Sequence, residues 1–132
     1  MISLETEDFE PWELIYLLKE AHEENKILTA ATGTVSESVC EGIASNHAYS
    51  VVDVIKDSVV LLRDPRGPQD FRARVNNSIL LQSATFLSPS EFEMVADKYA
   101  GTLWVTAPEF QACISSVQMS VTSPETLPTH KN

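Results

Sequence analysis

The sequence predicts an α+β fold in which a bent antiparallel sheet is flanked by helices. The chain has 132 residues, a length that favours a single domain with a sizeable core. Hydrophobic residues make up 43% and charged residues 21%, which is typical of a globular protein and excludes a disordered one. Strand-like and helix-like segments follow one another without a regular βαβ alternation, and this favours α+β over a parallel α/β sheet.

Three segments are predicted to be helices. The first begins at Pro11, a residue suited to the first helical position, and apolar residues then recur at helical spacing. Those apolar residues are Leu14, Leu17, Leu18 and Ala21. Two later helices are predicted from capping boxes, one formed by Ser88 and Glu91 and the other by Thr106 and Glu109.

The remaining apolar runs predict strands over residues 27–32, 47–54, 58–63, 103–105 and 116–121. The second and third of these are close enough to form a hairpin. A long polar loop over 33–46 precedes the hairpin, and a turn over 64–68 follows it. We assign residues 1–121 to one domain and expect residues 122–132, which include two prolines, to form a flexible tail.

The charge of the chain limits its partners. Lysine and arginine number 9 and aspartate and glutamate number 19, so the net charge is −10. Such a chain is repelled by phosphate backbones and anionic lipid, which excludes nucleic acid and membrane surfaces as expected partners. No apolar run approaches the ~18 residues of a membrane-spanning helix. The acidic N-terminal segment does not resemble a signal peptide, so the cytosol is the expected compartment.

The two cysteines, Cys40 and Cys113, are far apart and form no CxxC motif. This spacing argues against a zinc site and against a disulfide scaffold. Cys40 lies in the long loop without a helix signal or a local base, so we expect a structural or incidental role. Cys113 lies on the apolar face of the last predicted helix, so we expect it in the core.

The candidate site suggested by spacing consists of His47 and Asp64. If the predicted hairpin is antiparallel, the start of its first strand lies beside the end of its second, and the two side chains meet at one rim of the sheet. The carboxylate would accept the imidazole Nδ1–H and leave Nε2 available for a proton. The alternative is a histidine that only satisfies the polar groups of a strand end.

Several segments resemble the second half of the protease core of calpain-type cysteine peptidases. The segment NHAYSV at 46–51 resembles the family's GHAYSV, which holds the catalytic histidine. The segment LRDPRG at 62–67 resembles R-N-P-W-G, which holds the catalytic asparagine. Three more resemblances follow the family order, and they lie at 11–14 (PWEL), 99–106 (YAGTLWVT) and 123–127 (SPETL).

The resemblance implies the second subdomain of a papain-like core, with His47 as general base and Asp64 as the orienting residue of a cysteine endopeptidase. The family's nucleophilic cysteine lies in the first half of the core, so we expect this chain alone to be inactive. Its expected partners are the missing Cys-bearing half and protein substrates. The alternative is a catalytically degenerate module for protein interaction or scaffolding. Arg66 stands where the family has tryptophan, and it could form a salt bridge that draws Asp64 away from His47.

Calcium is the cofactor that the resemblance implies. Asp70 and Asn77 match two ligand positions in one loop of the family, whereas Ala100 and Thr102 stand at two acidic positions in the other loop. Calcium takes 6–8 oxygen ligands, several of them carboxylates, so one carboxylate among four positions is too few for tight binding. We therefore expect no calcium at this site, and no other cofactor.

Overall fold

The computed structural model describes residues 1–36, 40, 42–68 and 88–120. Within these residues the chain forms six β-strands, three α-helices and a short 3-10 helix at Thr6–Asp8. The strands are β1 (Ile2–Glu5), β2 (Leu28–Ala31), β3 (Ala48–Ile55), β4 (Val59–Arg63), β5 (Leu103–Thr106) and β6 (Ser116–Met119). The helices are α1 (Pro11–Glu23), α2 (Pro89–Lys98) and α3 (Ala107–Cys113).

All six strands belong to one open sheet with the order β1-β6-β2-β3-β4-β5, and every neighbouring pair is antiparallel. Alternate residues of β4 enter different hydrophobic clusters, because side chains alternate between the two faces of a strand. Val60 and Leu62 pack with α1 and α3 on one face. Val59 and Leu61 pack with α2 and the fully buried Trp104 on the other face. The sheet is therefore covered by helices on both faces.

The α+β class and the antiparallel sheet are confirmed, and so are the three helices and the predicted hairpin. Both predicted capping boxes are present, with Ser88 accepting a hydrogen bond from the backbone of Glu91 and Thr106 from that of Glu109. β1 was not predicted, because it has only four residues and is mostly exposed. The predicted tail at 122–132 lies outside the described residues.

The two cysteines form a disulfide, so the inference from their spacing against such a bond is wrong. Cys40 and Cys113 are 73 residues apart in sequence, but their Cα atoms are 5.8 Å apart. Both residues are buried, which confirms the core position expected for Cys113 and gives Cys40 a structural role. Sequence separation does not exclude contact, because the fold brings the loop before β3 against α3.

None of the described helices combines the length and apolarity that a membrane span requires.

Candidate functional site

The hairpin of β3 and β4 brings His47 and Asp64 together, as the antiparallel pairing predicted. Ser50 lies opposite Arg63 in the register, so the residue that precedes β3 and the one that follows β4 share one rim of the sheet. The Nε2 atom of His47 is 2.8 Å from Oδ1 of Asp64. The carboxylate side chain is only 1% exposed, whereas the imidazole is 17% exposed.

The backbone on either side of the imidazole is held by the end of β2. The amide of His47 donates to the hydroxyl of Thr32, and the amide of Thr32 donates to the His47 carbonyl. Asn46 has φ 50°, a left-handed conformation that asparagine adopts more readily than most residues. The ring of Tyr49 meets the imidazole edge-on, with centroids 4.9 Å apart. These contacts fix the direction in which the His47 side chain points from the sheet.

The expectation about the ring nitrogens of His47 is wrong. Nε2, not Nδ1, contacts Asp64, and the hydrogen bonds of the described residues include none to Nδ1. The carboxylate accordingly selects the tautomer with the proton on Nε2, and Nδ1 is the nitrogen that can accept a proton. The general arrangement of an oriented imidazole is the same, but the reactive nitrogen is the other one.

Arg66 forms the expected salt bridge, yet Asp64 remains beside the histidine. The guanidinium Nη2 of Arg66 is 3.1 Å from Oδ2 of Asp64, and its Nε is 3.3 Å from Oδ1. The Arg66 amide also donates to Oδ1, at 2.8 Å. The Arg66 side chain is the largest cause that holds the pKa of Asp64 well below its usual range, against the opposing effect of burial. The contact with His47 lowers this pKa further.

The arrangement supplies an oriented base but no thiol nucleophile. Nδ1 of His47 can take a proton from a group brought to it, while Asp64 holds the proton on Nε2. The chain has two cysteines, and both are in the disulfide. A cysteine that reacts with the help of His47 therefore has to come from another segment or another chain.

Of the four implied calcium positions, the two within the described residues do not supply ligands that suit calcium. Ala100 has no side-chain oxygen, and the hydroxyl of Thr102 donates to the Tyr99 carbonyl and accepts from the indole of Trp104. Asp70 and Asn77 lie outside the described residues. No group of three or more histidine, cysteine, aspartate or glutamate side chains within the described ranges is arranged to hold a metal. The absence of calcium remains a prediction.

A second histidine–aspartate contact was not predicted. Nε2 of His22, at the end of α1, is 3.3 Å from Oδ1 of Asp53, and the hydroxyl of Tyr99 donates to Oδ2 of Asp53. Asp53 lies at an irregularity in the β3–β4 register. In the sequence, Asp53 stands out only as a carboxylate within an otherwise apolar run of valine and isoleucine. Its two partners are distant in sequence, so no local pattern indicates the contacts.

No protein-family model and no curated protein matches this chain. The described architecture is α+β with an open antiparallel sheet, and the papain-like identity of that sheet remains a prediction. The assignment of a function therefore depends on the motif resemblance and on the geometry around His47.

Proposed function

We propose that this chain is the histidine-bearing half of a calpain-like cysteine endopeptidase core. His47 is the general base in this proposal, and Asp64 is the residue that orients it. The observation that carries the proposal is the 2.8 Å contact between Nε2 of His47 and a carboxylate that is almost fully buried. The resemblance of segments 46–51 and 62–67 to the family's histidine and asparagine motifs supports the same assignment.

The proposed chemistry uses both nitrogens of the His47 ring. A cysteine thiol from the missing half transfers its proton to Nδ1, because Nε2 is engaged by Asp64. The resulting imidazolium carries one proton on each nitrogen, and the carboxylate accepts the hydrogen bond from Nε2–H. The thiolate attacks the peptide carbonyl, and Nδ1 returns its proton to the leaving amine when the peptide bond breaks.

The second candidate function is a catalytically silent module for protein interaction or scaffolding. The observation that favours it is the Arg66 guanidinium on the carboxylate of Asp64, at the position where the family has tryptophan. In that case the histidine and aspartate serve only to hold the end of the hairpin.

The peptidase proposal is tested by measuring whether the longest polypeptide that the gene encodes cleaves casein. We expect cleavage that a thiol-alkylating inhibitor blocks, and a decrease of about 100-fold or more in His47→Ala. His22→Ala is the matched control, because His22 also contacts an aspartate but lies at the end of α1. That variant should cleave casein at the rate of the unchanged protein, and the 132-residue chain alone should not cleave it.

Two outcomes would contradict the peptidase proposal. One is a longest polypeptide without a Gln-x-x-x-Gly-Asp-Cys-Trp-like segment before this domain. The other is a His47→Ala variant that keeps the inhibitor-sensitive cleavage. Either result favours the scaffold function.

A cytosolic location is part of this proposal, and the Cys40–Cys113 bond gives a specific reason to test it. Disulfides persist in oxidising compartments and are rare in the cytosol.

A further inference from the structure

The carboxylate of Asp64 is shared between a base and a cation. Oδ1 accepts from Nε2 of His47, from the backbone amide of Arg66 and from Nε of Arg66, while Oδ2 accepts from Nη2 of Arg66. Arg66 thus contacts both oxygens, and its own side chain is 64% exposed while that of Asp64 is 1% exposed. The carboxylate is therefore held in one orientation by a residue at the surface.

The same contacts change the net charge beside the imidazole of His47. An isolated carboxylate at hydrogen-bond distance strongly favours a protonated imidazole. A guanidinium on the same carboxylate opposes that effect, because the two charges of the Asp64–Arg66 pair sum to zero. The acceptor for Nε2 of His47 is therefore one member of an ion pair and not an isolated carboxylate.

We propose that Arg66 is a positioning residue for His47, which acts through Asp64 by fixing the carboxylate against Nε2 and by offsetting the charge of that carboxylate. The inference rests on the proposed role of His47 as a base. Its test uses the protonation of the ring and not peptidase activity, so the two proposals can fail separately.

Few other groups of the described residues act on the His47 ring. Tyr49 presents its ring edge, and its hydroxyl oxygen accepts a hydrogen bond from the Ala44 amide. The charged side chains in contact with the site, within the described ranges, are those of Asp64 and Arg66. Arg63 is exposed at the end of β4 and provides a matched control, since its removal changes the net charge equally.

The experiment follows the ring protons of His47 by NMR as pH is varied, with His47→Ala to assign them among the three histidines. In Arg66→Gln we expect the titration midpoint of the ring to rise by about 0.5–1 pH unit, a range reduced for the exposure of the guanidinium. In Arg63→Gln the midpoint should move by less than about 0.2 unit, because the Arg63 side chain is exposed and its charge is screened by solvent. Amide spectra establish that each variant is folded.

A double-mutant cycle shows whether Arg66 acts through Asp64. In an Asp64→Asn background, Arg66→Gln should shift the midpoint by less than half of its effect in the unchanged protein. Arg66→Lys keeps the charge but loses the two-point contact, so its shift should lie between zero and that of Arg66→Gln. This variant also provides the readout if Arg66→Gln does not fold. Equal shifts in both backgrounds, or a shift in Arg66→Gln no larger than in Arg63→Gln, would overturn the proposal.

Discussion

Two histidines among the described residues contact an aspartate, and the surroundings of the two contacts differ. His47 meets Asp64 at the rim of the sheet, where the carboxylate is 1% exposed. His22 meets Asp53 at the register irregularity of β3, where the carboxylate is 21% exposed and the imidazole 39% exposed. The nitrogen–oxygen distance is 2.8 Å in the first pair and 3.3 Å in the second.

The third residue of each cluster determines what the carboxylate does. Arg66 donates to Asp64 and keeps it ionised, so that the carboxylate can orient an imidazole. Tyr99 donates to Asp53 as a neutral hydroxyl, and Asp53 on β3 thereby connects α1 with the residue that follows α2. A histidine–aspartate contact therefore does not by itself define what the carboxylate does. Burial of the carboxylate and a cation that holds it distinguish the rim from the cluster around Asp53.

Removal of the disulfide should have the largest effect on stability, and the accompanying structural change should be concentrated at the rim. Cys40→Ala/Cys113→Ala should lower the free energy of unfolding by about 2–4 kcal/mol, because the bond closes a long loop in the unfolded chain. Urea denaturation measures the change. The amide signals of His47 should shift more than those of His22, since Cys40 lies in the loop that leads to β3.

A dithiol reductant is the control for this prediction. It should reproduce the loss of stability in the unchanged protein and have no effect on the double variant. Identical unfolding curves with and without the reductant would show that the bond contributes nothing to stability.

The two carboxylates should differ in their contribution to stability. At pH 6 we expect Asp64→Asn to cost about 1–2 kcal/mol, and Asp53→Asn less than about 1 kcal/mol, because Asp64 is buried and bonded to a charged group. The lowered pKa of Asp64 makes its contribution complete above about pH 4 and lost progressively as pH falls further. Urea titrations at pH 6 and pH 3 should therefore show the gap between Asp64→Asn and the unchanged protein closing in acid. Equal costs for the two variants at pH 6 would remove the distinction between the clusters.

The smallest effect should come from Tyr99. Loss of its hydroxyl in Tyr99→Phe should cost about 0.5–1 kcal/mol at pH 8. Burial, followed by the bond to Asp53, raises the pKa of Tyr99 to about 12. Its contribution should therefore be present below about pH 10 and be lost as pH rises towards 12.

Thermal or urea unfolding at pH 8 and pH 11 measures this alkaline loss, which should be smaller in Tyr99→Phe than in the unchanged protein. Tyr16→Phe is the control, since Tyr16 is 61% exposed on α1. If Tyr99→Phe and Tyr16→Phe lose the same amount of stability between pH 8 and pH 11, the contact of Tyr99 with Asp53 is not coupled to folding.

Local patterns in the sequence were sufficient for the helices and the hairpin. Proline at the first helical position, helical spacing of apolar residues and two capping boxes each depend on neighbours within a few residues, so they predict α1, α2 and α3. The meeting of His47 with Asp64 was also predictable, because it needs only antiparallel pairing of adjacent strands. Which ring nitrogen makes the contact depends on the rotation of one side chain, and the sequence holds no signal for it.

The α+β class, the main helices and the pair of residues at the rim could be predicted from the sequence, because each of these depends on short-range pattern and on one hairpin. The place of β1 beside β6, the Cys40–Cys113 bond and the cluster around Asp53 became known only from the folded chain. Each of these joins residues tens of positions apart. Such contacts depend on how the whole sheet is ordered and how the helices pack on it, and no local preference of a residue records that order.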